Sequence, residues 1–500
     1  MTGSPTDQAA RTISNRTIAD HTIHPQSHPG APASRPRVSP WAVLVVMCTG
    51  YFLVLLDVTV VNVALPQISA GLGAGVSDLQ WVVDGYALAL ASLMLAGGTV
   101  GDLRGHKRMV LLGFAVFGAG SLGCGLAPGV GVLVAARVAQ GVGAALLLPG
   151  TLAIISRAFP GRREQAKAIG VWAGIGGLAL PAGPLLGGLL VDTFGWRAIF
   201  LLNVPIVVVA SVAVLAIVTE SADPRGRRLD LPGMVLGALL LVAVTLAVIE
   251  GGRAGLASPV VLAAAVATVP LLAAFVLVER RHGEQAMLPL GLLRRPVFTV
   301  ANAAAGVMNL GTLGTLFVLP LFLQSVQGRS ALAGGVALVP LFAPLAVLAP
   351  LAGRLNGRIG PRLPVAAGLV IAAAGLALLT KAGASSGYLV LLAAFLLWGS
   401  GTGILTPSVV AAAIGAVPGE RAGLASAINN TARQASGAIG IAVAGAIAGQ
   451  PVAGGSAAAN AGFVTGFHTV ALGAAGLYLL AALAAVAFLH APGQDRASRP

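Results

Sequence analysis

Few residues in this chain could do chemistry, and their positions single them out. Of sixteen acids, only Asp57 and Asp84 lie well inside long apolar runs, with Glu250 at the end of another; of thirty bases, only Arg137 and Arg433 do. Charge inside a bilayer is costly, so an ionisable side chain there marks a functional position by default. A carboxyl in a poorly solvated cavity favours its protonated form, and a neighbouring cation favours the charged one. Asp57 and Asp84 are therefore candidates to bind a proton in one conformation and release it in another. The alternative is a static ion pair that fixes helix packing. At ~1.5 Å per residue, Asp57 lies ~13 Å from Pro66, where the first apolar run closes, and Arg137 ~9 Å into the fourth run from the same side. An Asp57–Arg137 contact is open on that count. Asp84 lies only three residues into its run.

Other chemistries lack their residues. No Gly-Lys dipeptide occurs, so there is no loop of the Walker type to cradle phosphates, and no HExxH is present. The seven histidines lie in tails, loops or run ends and form no cluster with metal-ligand spacing. A Ser-His-Asp set cannot be assembled at one depth. Cys48 and Cys124 both sit in apolar runs and read as small buried hydrophobes. The reading is a non-enzyme with no metal and no cofactor.

Composition says what must position these residues. Hydrophobic residues make up 57% of the 500 and charged residues 9%, against about 25% charged in a soluble domain. Glycine stands at 68, about twice its usual ~7% share, and small residues suit helices that approach closely in lipid. Soluble enzymes, disordered chains and disulfide scaffolds are excluded. The net charge of +14 does not imply nucleic acid, because the basic residues come in small groups between apolar runs. The lipid bilayer is the partner.

A helical span needs roughly 20 apolar residues, and fourteen runs qualify, near 41–65, 81–101, 109–127, 131–154, 168–190, 198–218, 231–250, 258–278, 297–323, 332–353, 363–381, 387–412, 423–448 and 464–489. With the N-terminal tail cytoplasmic, 24 of the 30 basic residues fall in cytoplasmic segments, four (Arg197, Arg253, Arg329, Lys381) fall outside, and two lie within spans. Omitting any span inverts the bias beyond it. Residues 1–38, rich in Ser, Thr, Pro, His and Arg, read as a disordered cytoplasmic tail and not a signal peptide.

The chain also repeats weakly: GTVGDLRGHKR at 98–108 aligns with GRLNGRIGPR at 353–362, 255 residues on. That offset fits two six-helix halves with two helices inserted between them. The resulting expectation is an all-α polytopic membrane protein of fourteen transmembrane helices. Its parts are the tail 1–38, a six-helix bundle over 39–219, a two-helix insert over 220–285, a second six-helix bundle over 286–490 and a cytoplasmic tail 491–500. The insert has no acid within its spans besides Glu250 and is expected at the periphery, outside the coupling machinery.

At this point the residues resemble the major facilitator superfamily, specifically its fourteen-span drug:proton antiporter branch. The likeness runs over about residues 40–490. LDVTVVNVALP (56–66) is similar to the branch signature around Asp57, with Asn62 in the same stretch as an intramembrane polar partner, and WVVDGYALALA (81–91) carries a second branch acid at Asp84. The loop 98–108 resembles the superfamily's cytoplasmic gating motif through Gly98, Asp102, Gly105, Lys107 and Arg108. LVAARVAQGVGAA (133–145) resembles the motif around an intramembrane arginine, here Arg137. GPLLGG (183–188) looks like the antiporter motif, with Gly183, Pro184, Gly187 and Gly188. GWRAIFLLNVP (195–205) and INNTARQASGAIGI (428–441), which holds Arg433, are further familiar stretches. Leu103, His106, Ala179 and Gly357 depart from the usual pattern.

The resemblance implies an exporter working by alternating access, with protons taken up at Asp57 or Asp84 and amphipathic or cationic small organic molecules released from a central cavity. The charge cluster at 102–108 is expected to latch the two halves in the outward-facing state, and the 183–188 glycines to let one span bend and pack closely. Arg433 is expected to meet a carboxyl, a carbonyl or substrate. A monomer in the plasma membrane, with both termini cytoplasmic, completes the expectation. The alternatives are a dedicated exporter of one metabolite or self-made antibiotic, an uptake symporter, and a non-transporting receptor or scaffold.

Overall fold

The computed structural model describes residues 39–220, 230–283, 286, 288–418, 422–452, 455–456 and 458–489. The two tails, the basic loop Arg225, Arg227 and Arg228, Arg421, and the side chain of Asp102 lie outside the described residues. Everything described is helix or short connection. In lipid, each backbone N–H and C=O must be satisfied within its own segment, and an α-helix does this.

The chain forms α1 (Pro40–Leu72), α2 (Val76–Arg104), α3 (His106–Gly125), α4 (Val130–Ala158), α5 (Arg162–Phe194), α6 (Ala198–Leu201) and α7 (Asn203–Ile217). Then follow α8 (Leu231–Ala254) and α9 (Pro259–His282), the short α10 (Leu290–Leu293), and α11 (Pro296–Leu321) with a π-helical turn at Phe322–Val326. The last five are α12 (Ala331–Ile359), α13 (Arg362–Leu378), α14 (Tyr388–Gly415), α15 (Ala422–Ala448) and α16 (Ala461–Phe488). Twelve helices among the described residues are long and apolar enough to cross a membrane. Outside that set, α2 and α15 are helices of 29 and 27 residues, and they carry Asp84 and Arg433.

Each of the fourteen apolar runs falls in a long helix or, for 198–218, in the α6–α7 pair, but several helices outrun their apolar cores. α1 continues through Pro66 to Leu72, as spans can when neighbouring groups satisfy the carbonyl that a proline leaves free. α2 begins at Val76, so Asp84 sits two turns inside its helix and not at its edge. Start signals are local where they exist: Asp230 accepts from Gly233 N at 2.9 Å to cap α8, and Ser330 accepts from Ala333 N at 3.2 Å to cap α12.

One group of helices packs α2 and α3 against α4, α5 against α1, and α3 against α7; the other packs α11 against α15 and α16, and α14 against α12 and α13. Small residues set the spacing. A Cβ on Gly143 would meet Phe117 N at 2.5 Å, and one on Gly375 would meet Ala394 O at 2.7 Å. Between the groups, α8 packs against α9 on one side and against both α2 and α15 on the other. Most of α9 is exposed, as expected of a helix facing lipid.

Candidate functional site

The intramembrane charges of the first group are gathered into one buried network. Asp57 of α1 and Arg137 of α4, both fully buried, form an ion pair through Oδ2 and Nη1. Arg137 also donates from Nε to Val82 O of α2 at 3.0 Å and from Nη1 to Gln140 Oε1 at 2.9 Å. The guanidinium lies over the Tyr86 ring, 4.4 Å from its centroid, a favourable cation–π geometry. Gln140, one turn along α4, donates to Asp57 Oδ1 at 3.4 Å and to Ser121 Oγ of α3 at 2.8 Å. Asn203, at the start of α7, donates to the same Ser121 Oγ at 3.4 Å, and Cys124 Sγ donates to Gln140 Oε1 at 3.2 Å. Five helices thus hold one carboxylate and one guanidinium away from water with their valences largely filled, as a buried pair requires.

Asp84 is treated differently. It is fully buried, and neither carboxylate oxygen has a hydrogen-bond partner among the described residues. One turn before it, Gln80 donates to Ile441 O at 3.3 Å and Ala442 O at 2.7 Å of α15. Asn62 is buried and donates to Val58 O within α1 at 3.3 Å, leaving its own Oδ1 without a partner. The structure does not bring Asn62 or Asp84 into the Asp57–Arg137 network.

In the other group, Arg433 of α15 donates from Nε to Asn309 Oδ1 of α11 at 3.4 Å. Among the described residues no carboxylate forms an ion pair with it. Asn429 donates to Asn302 Oδ1 at 3.2 Å, a second polar tie between α15 and α11. In the first group, Tyr51 of α1 stacks on Trp172 of α5 at 3.8 Å between centroids.

The two groups join at one end of the bundle, the end holding the loop at Gly73–Gly75. Asp192, near the end of α5, accepts from Ala331 N at 3.2 Å and Leu332 N at 2.8 Å at the start of α12. Gln324, aimed by the π-helical turn after α11, donates to Val63 O of α1 at 2.8 Å. The GPLLGG stretch sits within this joint and serves two neighbours. A Cβ on Gly187 would lie 2.9 Å from Val60 Cγ2 of α1, and one on Gly188 would lie 2.6 Å from Leu332 Cα of α12. Gly183 is closed off by Thr59 of α1, and Pro184 O presses on Gly335 of α12. The contacts between the groups through Gln80, Gln324 and Asp192 all lie toward this end.

At the opposite end, the 98–108 stretch is not a loop but the end of α2, the single connecting residue Gly105 and the start of α3, and its described contacts are within its own group. Gly105 has φ +106°, the left-handed side that favours glycine, and a side chain there would run into Glu220 beyond α7. Glu220 accepts from Lys107 N at 3.1 Å and pairs with the exposed Arg108 at 3.5 Å, while Lys107 Nζ donates to Leu215 O at 3.0 Å. Gly98 rests on Pro149 of α4, 3.5 Å from where its Cβ would lie. In this conformation Lys107 and Arg108 bind the end of α7, and no bond of theirs described here latches the two groups together.

Gln80, Ser121, Gln140, Asp192, Asn203 and Gln324 escaped the sequence reading, which weighed ionised groups inside runs. Their signal was present but weaker. Gln140 stands three residues from Arg137, on the same helix face, and Gln80 four residues from Asp84.

The sequence pattern of the Major Facilitator Superfamily matches residues 47–441. The chain is 39% identical over 398 residues to the multidrug resistance protein Stp of Mycobacterium tuberculosis, covering 80% of this chain and 74% of that protein. It is 36% identical to a methylenomycin A resistance protein of Streptomyces coelicolor, over 80% of this chain and 84% of that protein. With the tetracenomycin C resistance and export protein of Streptomyces glaucescens it shares 34% identity, over 83% and 77%. The fold matches the solved structure of a bacterial homologue of the human lysosomal transporter Spinster, with TM-score 0.66, 17% identity, and 92% and 100% of the two chains covered. This is a multi-pass transporter fold and not an enzyme, and it requires no cofactor. The chain belongs to the Major Facilitator Superfamily, in the branch that holds these drug- and antibiotic-resistance efflux proteins.

Proposed function

We propose that this chain is a proton-coupled exporter of amphipathic small organic molecules that works by alternating access. The observation that carries the reading is the pair of buried carboxylates on adjacent helices, Asp57 compensated by Arg137 and Asp84 with no hydrogen-bond partner among the described residues. A proton on Asp57 dissolves its attraction to Arg137 and leaves the guanidinium to Gln140 Oε1 and Val82 O. Rearrangement of that network then reaches α1, α3, α4 and α7 at once. Because α1 is also the surface on which Gly183 and Gly187 pack, a shift of α1 bears directly on the α5–α12 joint. Rocking about that joint opens one end of the bundle as the other closes.

In this reading α2 and α15 complete fourteen spans, the parts divide as 39–219, 220–285 and 286–490, and a monomer sits in the plasma membrane with both tails cytoplasmic. The basic-residue asymmetry supports that orientation. The joined end is then the outer one, and the structure is closed to the outside. The 98–108 stretch, bound to Glu220 here, latches the groups only when the inner end closes.

The test is proton movement evoked by ethidium, puromycin or methylenomycin A in vesicles carrying the purified protein. Movement that needs Asp57 is expected. A response to none of the three probes, or an equal response from the Asp57→Asn protein, refutes the reading. Relatives named for a single antibiotic, such as methylenomycin A, favour a second reading, a dedicated exporter with the same mechanism; it is distinguished by a response to one probe alone.

A further inference from the structure

The insert is expected to pack on the periphery of the core, and there α8 packs against α2, the helix of Asp84, and against α15. Two close approaches set the register of these three helices. Gln80 bonds the carbonyls of Ile441 and Ala442, and a Cβ on Gly252 of α8 would lie 2.7 Å from Ala446 Cα. Near Gly75 a Cβ would lie 2.6 Å from Gln450 Nε2, so residue numbers rise along α2 as they fall along α15. Asp84 is one turn, ~6 Å, beyond Gln80, which brings it level with Ala438 of α15. Thr245 is seven residues, ~10 Å, from Gly252 on α8, which brings it level with Ile439.

Faces agree as well as depths. Thr245, Ile249 and Gly252 follow the i, i+4, i+7 spacing of one helix stripe, and Thr245 and Ile249 are both fully buried. Gln80 and Asp84 share the i, i+4 face of α2 that meets α15. At the point of convergence α15 carries Ala438, small and fully buried. Thr245 Oγ1, like both oxygens of Asp84, has no hydrogen-bond partner among the described residues. Two buried polar groups left unfilled at one depth, on helices that touch each other, are uncommon in native proteins and call for an explanation.

We propose that Thr245 is a positioning residue for the proton on Asp84, so that α8 forms one wall of the proton site. The inference rests on the reading of Asp84 as a proton-coupling acid. A hydroxyl suits both states of a carboxyl, donating to the carboxylate and accepting from the acid. Other charges on the helices packed against α2 are bonded elsewhere or lie at helix ends, as Arg157 does in the last turn of α4. Asp57 and Arg137 on α1 and α4 hold each other, Arg433 on α15 is bonded to Asn309, and Glu250 and Arg253 pair at the end of α8. On α3, Lys107 and Arg108 lie at the far end with Glu220, and on α2 itself Asp78 accepts from Gly75 N. Arg104 stands at the opposite end of α2.

The experiment reads the carboxyl itself and needs no substrate. The full-length protein in liposomes is titrated while the infrared C=O stretch of its protonated carboxyls is followed, the Asp84 contribution being the part missing in Asp84→Asn. Thr245→Val, which keeps shape and removes the hydroxyl, should move the midpoint of that band to higher pH by about one unit, because the carboxylate formed on proton loss can no longer take a hydrogen bond from that hydroxyl. Thr245→Ser should restore the midpoint, which a purely steric role for the threonine would not require. An unmoved midpoint in Thr245→Val, or a Thr245→Ser protein displaced as far as Thr245→Val, overturns the proposal while leaving Asp84 as a proton site. A titration identical in Asp84→Asn and the unaltered protein overturns the Asp84 reading and the proposal with it.

Discussion

Gly188→Ala should shift the transporter away from the conformation described here. The new methyl would sit 2.6 Å from Leu332 Cα, 2.7 Å from Ala331 O and 2.9 Å from Leu332 N. Carbon atoms in good contact are about 3.5–4.0 Å apart, so the first distance is short by about 1 Å. All three neighbours are backbone atoms in the first turn of α12, and they cannot rotate aside as a side-chain tip can. α5 and α12 must therefore separate by about that 1 Å shortfall. Asp192 holds Ala331 N and Leu332 N at 3.2 and 2.8 Å, and such a separation carries both beyond hydrogen-bonding range. Overpacking of this kind costs about 1–3 kcal/mol, which shifts a two-state ratio about 5- to 150-fold. The assay is the rate at which an impermeant maleimide labels Thr59→Cys in a background with Cys48 and Cys124 replaced by alanine. Thr59 is buried in α1 beside Gly183, and it becomes reachable only when this end opens. Labelling should accelerate in Gly188→Ala and also in Gly335→Ala. Gly174→Ala, on the same α5 but with nothing within 4 Å of its Cβ, should leave the rate unchanged. Equal rates in Gly188→Ala and the unaltered glycine would refute a joint built on this close approach.

Other outcomes follow from the same geometry. Asp57→Asn should abolish proton-driven export and leave Arg137 without its counter-charge, destabilising the fold by about 3–5 kcal/mol; in melting followed by a thiol-reactive dye at the buried Cys48 and Cys124, the Asp57→Asn, Arg137→Gln double substitution should melt above Asp57→Asn alone. Glu250→Gln removes a pair with the exposed Arg253 at the end of α8 and should leave the pH dependence of transport in place, in contrast to Asp57→Asn; loss of coupling would contradict that separation. Single cysteines in the loops 73–75 and 449–460 should react with an impermeant reagent from outside intact cells and those in 159–161 only from the cytoplasmic side, and the reverse pattern would invert the proposed orientation.

Much of this architecture was readable before any contact was known, and the limits of that reading are physical. A run such as 231–250 announces a helix because lipid offers its backbone no other partner, so each apolar run maps onto a helical segment. Helix ends were less legible: α1 passes Pro66 and α2 starts at Val76 because polar residues at the edge of the apolar layer continue a helix without leaving a hydrophobic mark. Ionised residues were legible because their cost in lipid is large. Neutral Gln140, Ser121 and Asn203 cost less and stood out less, though they complete the Asp57–Arg137 site.

Composition and local pattern alone thus determined a polytopic helical membrane protein, the order of its helices and the short roster of intramembrane charges, since each depends on residues near one another in the chain. Only the tertiary structure decided which of those charges meet. It paired Asp57 with Arg137 across 80 residues and left Asp84 without a hydrogen-bond partner among the described residues. It turned Gly183 and Gly187 of one short motif toward α1 while Gly188 met α12. It also set α8, one helix of the expected peripheral insert, against α2 and α15. The reason is that helix packing in lipid is chosen by close approach of small residues and by hydrogen bonds between segments far apart in sequence, and apolar periodicity along a single helix does not encode them.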